Sequence, residues 1–258
     1  MKKLLRRAVR ALGFDVVRYR APERDAHLPR DLSADERGIV DQIAGRTMTS
    51  VDSQVTLIRA VRHLVRHQIS GCLVECGVWR GGSSMAMALA LALDKETRRD
   101  IHLFDTFSGM TAPQDVDRTQ DGTLARDYLA RDPGKAGGVW AVAGLDEVRR
   151  NMQATGYPHQ RIHYVQGAVE DTLPQRAPVQ PIALLRLDTD WYQSTRHELT
   201  HLFPRLVEGG ILLLDDYGHW SGARRAVDEY FADLGCYFYL HRVDYTARLL
   251  VKMSRPQA

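Results

Sequence analysis

From Gly71 onward, short apolar runs alternate with longer stretches of helical periodicity, and this rhythm limits the chain to few folds. Runs at 72–76, 101–105, 161–166, 182–188 and 211–215 read as strands, and helices fit at 83–94, 145–155, 194–206 and 222–234. Continuous apolar strands separated by helices demand a parallel sheet with helices on both faces. The expected fold is therefore α/β, a doubly wound, mostly parallel sheet of Rossmann-like type. The end of the chain, 237–241 and 248–253 around Val243-Asp-Tyr245, reads as a closing hairpin. Thr195 followed by Glu198 has the spacing of a capping box for the helix at 194–206.

Two amphipathic helices precede the alternation. Ser33-Ala-Asp-Glu36 is a capping box opening a helix that runs to about Gly45, and another starts at Asp52 or Ser53. Residues 25–70 are thus expected to form a helical cap on a catalytic domain spanning 71–258. Within that domain 106–144 is long and rich in Asp, Gly and Pro, without clear periodicity. Such stretches commonly close over a site, and this one is expected to be a lid.

Val74-Glu-Cys-Gly-Val-Trp-Arg-Gly-Gly-Ser83 joins the first strand to its helix. Its glycines, Gly77 first, let the backbone turn sharply and approach a ligand. The next strand ends in Asp105, a carboxylate able to accept hydrogen bonds from ribose hydroxyls. A dinucleotide would want G-x-G-x-x-G, and Glu75 and Val78 break that spacing. A carboxylate at Glu75 repels a pyrophosphate but suits a cofactor carrying an ammonium and a sulfonium. S-adenosylmethionine (AdoMet) is such a cofactor. An NAD(P)-dependent oxidoreductase is the alternative on the same fold.

Leu187-Asp-Thr-Asp-Trp-Tyr192 and Leu214-Asp-Asp-Tyr217 put Asp188, Asp215 and Asp216 just past apolar runs, at one edge of the sheet. Crowded carboxylates repel one another unless a cation intervenes. Oxygen-only ligands favour a hard ion, Mg2+ foremost. Asp190 is the remaining carboxylate, placed to act as a base. Amino-methylating enzymes usually carry an (Asn/Asp)-Pro-Pro-(Tyr/Phe) turn after the fourth strand. Asp188-Thr-Asp-Trp191 stands there instead, which favours an oxygen acceptor. His219 and Trp220 follow the second pair of aspartates and are candidates for the wall of the acceptor pocket.

Charge separates the chain into two parts. Residues 1–24 hold eight of the 35 Lys and Arg and two of the 32 acids, a local +6 inside a total of +3. The rest carries a slight negative balance, so neither part suggests nucleic acid. The arm is amphipathic, with Leu4, Leu5, Ala8, Val9 and Leu12 on one face. Its expected contacts are an anionic membrane surface, through residues 1–20, or another subunit of a homo-oligomer. Three cysteines without a CxxC pair argue against a disulfide framework. With no apolar run near the roughly 18 residues of a membrane span, the expected location is cytoplasmic, at most membrane-associated.

Taken together, Glu75-Cys-Gly-Val-Trp-Arg-Gly-Gly-Ser83, Leu185-Arg-Leu-Asp-Thr-Asp-Trp-Tyr192-Gln-Ser-Thr195 and Gly209-Gly...Asp215-Asp-Tyr217 resemble the macrocin O-methyltransferase (TylF-type) family. Thr47-Met-Thr-Ser50 and Gln166-Gly...Glu170-Asp-Thr-Leu-Pro174 fit as well, so the resemblance covers roughly 40–235. It implies an AdoMet- and Mg2+-dependent enzyme of the class I methyltransferase fold that methylates sugar hydroxyls on antibiotic glycosides or glycans. It further implies that Asp188, Asp215 and Asp216 hold the metal and that Asp190 is the general base. Glu75, Gly77, Asp105 and Ser108 would contact AdoMet, with the Gly167-Ala168 turn near the adenine. Related catechol-type enzymes have a lysine where this chain has Trp191.

Overall fold

The computed structural model describes residues 28–134, 138–235 and 237–253. Contacts divide the chain into two units, 1–31 and 32–258, and the elements below all belong to the second. The expected arm at 1–24 lies outside the described residues.

Seven strands form a single sheet: β1 Cys72–Cys76, β2 Ile101–Asp105, β3 Ile162–Gln166, β4 Ile182–Leu187, β5 Leu206–Leu214, β6 His241–Arg242 and β7 Arg248–Val251. Their order is β3-β2-β1-β4-β5-β7-β6. The first five run parallel, and β7 returns antiparallel between β5 and β6. The helices are α1 Ala34–Ile43, α2 Val51–Arg66, α3 Gly82–Leu93, α4 Ala125–Leu129, α5 Leu145–Gln153, α6 Val169–Thr172, α7 Tyr192–Leu202 and α8 Ser221–Asp233.

Burial explains why the strands were legible. Every residue of β1 and β4 is buried, as strands covered on both faces must be. Cys72, Val74 and Cys76 pack with Leu199 and Leu202 of α7 and with Val227 and Phe231 of α8. Helices α1, α2, α3 and α5 pack together on the other side. Helix α3 is Ala- and Met-rich and nearly all buried, which accounts for its lack of a polar face.

The capping box at Ser33 forms as expected: Ser33 Oγ accepts from the Glu36 amide at 3.2 Å, and Glu36 Oε2 accepts from the Ser33 amide at 2.8 Å. The buried Glu36 carboxylate also takes Arg59 Nε of α2 at 2.7 Å, tying the two helices together. The hydrogen bond from Arg59, first among the causes, holds the Glu36 carboxyl down at about 2, against an ordinary 4.5. A depressed folded-state pKa stabilises the protein above the ordinary value and loses that stabilisation as pH falls through the folded one. In urea denaturation, the stability gap between wild type and Glu36→Gln is therefore expected to be present at about pH 6 and to close by about pH 2.

Three expectations need correction. The helix expected from 194 begins at Tyr192, with Trp191 as its N-cap, so Thr195 and Glu198 lie inside α7 and form no capping box. Strand β5 begins at Leu206, well before 211, because it runs on through Gly209-Gly210. In the expected closing hairpin only His241–Arg242 pairs with β7, and 237–240 form no strand.

Candidate active site

The carboxyl ends of β1, β2, β4 and β5 converge on a pair of adjoining cavities. One, of about 480 Å³, is lined by Gly77, Asp105, Gly167, Ala168, Asp188 and Asp190 among others. The second, of about 430 Å³, is lined by Asp215 and Asp216 and shares Asp188 and Asp190 with the first. Eight of the ten residues singled out in the sequence therefore surround one continuous site. Ser108 and Glu75 line neither cavity.

The turn after β1 is built by close approach. Gly77 has φ 81°, and a Cβ there would fall 1.8 Å from the Asp188 carbonyl oxygen, where the chain leaves β4. No side chain fits, so Gly77→Ala is expected to destabilise the fold by more than the ~1 kcal/mol typical of point substitutions. Equilibrium unfolding measures it. The amides of Val78 and Trp79 donate to Asp105 Oδ2 at 2.6 and 3.1 Å, and Phe107 donates to Oδ1 at 2.6 Å. Asp105 thus organises the glycine turn from the neighbouring strand while it lines the cavity. Burial raises its pKa, and those amide hydrogen bonds oppose the rise. Gly167 donates to the Asp105 carbonyl at 3.0 Å, which sets the Gly167-Ala168 turn beside the same carboxylate.

Beneath this floor lies a residue that sequence reasoning missed. Arg186, buried near the carboxyl end of β4, extends one guanidinium to three carboxylates. Its Nη1 lies 2.7 Å from both Glu75 Oε1 and Asp188 Oδ2, and its Nη2 lies 3.2 Å from Asp215 Oδ1. Glu75 is fully buried and also takes a hydrogen bond from Ser84 Oγ. In this structure Glu75 therefore faces Arg186 rather than the cavity. Burial, first of all, pushes its pKa up against the pull of Arg186. The signal was present in the sequence as a lone charge inside the apolar run Leu184-Leu-Arg-Leu187.

Above Arg186 the aspartates crowd together. One oxygen each of Asp188, Asp215 and Asp216 lie within 4.8 Å of one another. Asp190 adopts φ 67°, and its amide donates to Asp216 Oδ2 at 3.2 Å. Burial, then Asp188, raises the Asp190 pKa to about 7. Asp188 and Asp216 are raised well above the ordinary range, burial again first. One guanidinium cannot balance five carboxylates, and buried unpaired charge is costly, so the cluster suits a divalent cation. Its oxygen-only donor set fits Mg2+.

The described residues of the 106–144 stretch wall part of this site. The stretch contains α4 and contributes Gly109, Met110, Thr111, Tyr128, Gly138, Val139 and Ala141 to the larger cavity. Its anchor is Asp117, fully buried, whose Oδ1 accepts from the Tyr192 amide at 2.8 Å and caps α7 from a distance in sequence. Trp191 Nε1 donates to the Thr111 carbonyl at 3.0 Å, and Trp191 and Trp220 stack edge to face with α4 in a small core of their own. His219 and Trp220 line the larger cavity, as the sequence suggested.

A mostly parallel seven-stranded sheet with a glycine turn after β1 and an acid after β2 defines a class I AdoMet-dependent methyltransferase. More narrowly, the chain belongs to the macrocin-O-methyltransferase (TylF) family, whose profile matches residues 6–252. It is 33% identical over 186 residues to the demethyldecarbamoylnovobiocin O-methyltransferase of Streptomyces niveus, covering 72% of this chain and 68% of the relative. It is 34% identical over 184 residues to the 8-demethyl-8-(2,3-dimethoxy-alpha-L-rhamnosyl)-tetracenomycin-C 4'-O-methyltransferase of Streptomyces olivaceus, covering 71% and 67%. The solved O-methyltransferase NovP superposes with a TM-score of 0.69 at 31% identity, covering 81% of this chain and 83% of NovP. The protein is an AdoMet-dependent O-methyltransferase, and the oxidoreductase alternative falls away.

Proposed function

We propose that the enzyme transfers the methyl group of AdoMet, with Mg2+, to a hydroxyl of a sugar carried on an antibiotic-type glycoside or a glycan. The observation that carries this reading is the convergence of Asp188, Asp215 and Asp216 on one point beside the cavity. The Streptomyces olivaceus relative, a 4'-O-methyltransferase of a rhamnosyl tetracenomycin, supports a sugar acceptor, and the demethyldecarbamoylnovobiocin O-methyltransferase supports an antibiotic-type one.

In this reading Gly77, Asp105, Gly167 and Ala168 cradle the nucleoside half of the cofactor. Glu75 acts from below by holding Arg186, and Ser108 lies at the rim. Asp188, Asp215 and Asp216 would hold the metal, which when bound would supply Lewis acidity toward the acceptor hydroxyl. The Asp190 carboxylate, at the junction of the two cavities, receives the acceptor proton. The 106–144 lid, with Met110, Tyr128 and Trp220, excludes water and selects the acceptor by shape. The helical cap expected over 25–70 takes part through Arg46, Thr47, Met48, Thr49 and Ser50, which wall the smaller cavity.

The test is incubation of the protein with isotopically labelled AdoMet, Mg2+ and a panel of rhamnosyl, noviosyl and simple phenolic glycosides, read by mass spectrometry. Label is expected on a sugar oxygen. Label found only on phenolic hydroxyls would sink the sugar reading.

A further inference from the structure

At the opposite edge of the sheet, a second cluster lies outside everything the methyl-transfer site uses. Asp100 immediately precedes β2, His102 is the second residue of β2, and His163 is the second residue of β3. The parallel register pairs His102 directly with His163. Paired residues on neighbouring strands share a face, so the two imidazoles stack, with centroids 4.5 Å apart and planes within 19°. Asp100 sits beneath them, its side chain 14% exposed, with Oδ1 3.3 Å from His163 Nε2. One ligand atom from each of the three residues lies within 4.8 Å of the others.

Two further observations point to a bound cation. His163 Nε2 is turned inward from a ring that is 42% exposed and faces Asp100 Oδ1 at 3.3 Å, so ring nitrogen and carboxylate are already brought together in the fold. Gln180, just ahead of β4, places its amide Nε2 2.6 Å from Asp100 Oδ2 and 3.5 Å from His102 Nε2. Amide oxygen and nitrogen are interchanged by a half-turn of the group, which would aim Oε1 at the same point. Arg161 Nη1, 3.3 Å from Asp100 Oδ1, is the competing cation, but its side chain is 45% exposed and free to swing into water.

We propose that Asp100, His102 and His163, with Gln180 as a fourth donor, form a binding site for a divalent transition ion of the Zn2+ class. It clasps β2, β3 and the segment leading into β4 at the edge remote from catalysis. Asp100 and Asp105 flank the two ends of β2, so this site and the methyl-transfer site are separated by roughly 16 Å of strand. The donor sets also separate them: imidazole nitrogen favours Zn2+, Co2+ or Ni2+, whereas the all-oxygen aspartate cluster favours Mg2+.

The experiment is calorimetric titration of Zn2+ into the full chain held in excess Mg2+, paired with thermal melting. One Zn2+ per chain should bind and raise the melting temperature. His163→Gln should weaken that binding by about tenfold or more, the scale lost even when an outer partner of a metal site is removed. It should also abolish the melting shift while leaving Mg2+-supported methyl transfer unchanged. Asp100→Asn serves as a second variant with the same expectation, and metal-free melting of each variant reports its folding. In parallel, Co2+ should give visible absorption bands in the wild type that His163→Gln removes. Zn2+ binding that survives both substitutions, or a wild type that neither binds Zn2+ nor melts higher with it, would overturn the proposal.

Discussion

Arg186→Met is expected to destabilise the protein by about 3–5 kcal/mol, the cost of breaking a buried ion pair from one side. That is a large share of the roughly 5–15 kcal/mol that holds a folded chain together. Methionine fills much of the volume, so the loss is electrostatic rather than a cavity effect. Without the guanidinium, Glu75 stays fully buried with only Ser84 as a neutral partner, and Asp188 and Asp215 lose the charge that draws them together. Arg186→Lys should recover little, because one ammonium cannot present two nitrogens to three carboxylates. Glu75→Gln in the Arg186→Met background should return part of the stability by removing the orphaned charge. Such a rescue is read as a positive coupling in a double-mutant cycle. Urea denaturation of the four proteins measures it, and a loss below about 1 kcal/mol for Arg186→Met would show that Arg186 is not the keystone of the cluster.

Arg186 also marks the boundary of what could be read from the sequence. The strands β1, β2 and β4 were legible because a sheet buried on both faces requires continuous apolar runs, and only there does local composition follow directly from burial. Asp188, Asp215 and Asp216 were legible because a hydrophobic run that stops at an acid stops at the same edge of every parallel strand. Asp117 was not legible, since it caps α7 across 75 residues and no local pattern records a partner so distant. The same fact explains the false capping box at Thr195: with Asp117 bonded to the Tyr192 amide, α7 needs no local cap. Glu198 turns instead to Thr189, 2.9 Å away in the loop between the aspartates. The 106–144 stretch looked irregular because its apolar residues pack on Trp191 and Trp220 rather than on one another in a periodic face. Glu75 was read as a cofactor ligand because its position in the turn was legible but the orientation of its side chain was not. That orientation is set by Arg186, on a strand more than a hundred residues away.

Asp188→Asn should abolish methyl transfer while leaving AdoMet affinity within about threefold of wild type. Asparagine keeps the shape of the side chain and one acceptor for Arg186, so the change removes a charge rather than a wall of the cavity. Lewis-acid stabilisation of a developing alkoxide contributes several kcal/mol, so its loss corresponds to about a thousandfold or more in rate. Chelation of the wild type with EDTA should reproduce the defect, and added Mg2+ should restore the wild type but not Asp188→Asn. Cofactor affinity is the discriminating readout. Gly77, Asp105, Gly167 and Ala168, proposed for the cofactor, stand just after β1, at the end of β2 and in the turn after β3, whereas the aspartates proposed for the metal follow β4 and β5. A variant that lost AdoMet and activity together would mean that Asp188 supports the cofactor pocket as a whole. Full activity in EDTA would instead leave the proton to Asp190 alone and remove the metal from the reaction.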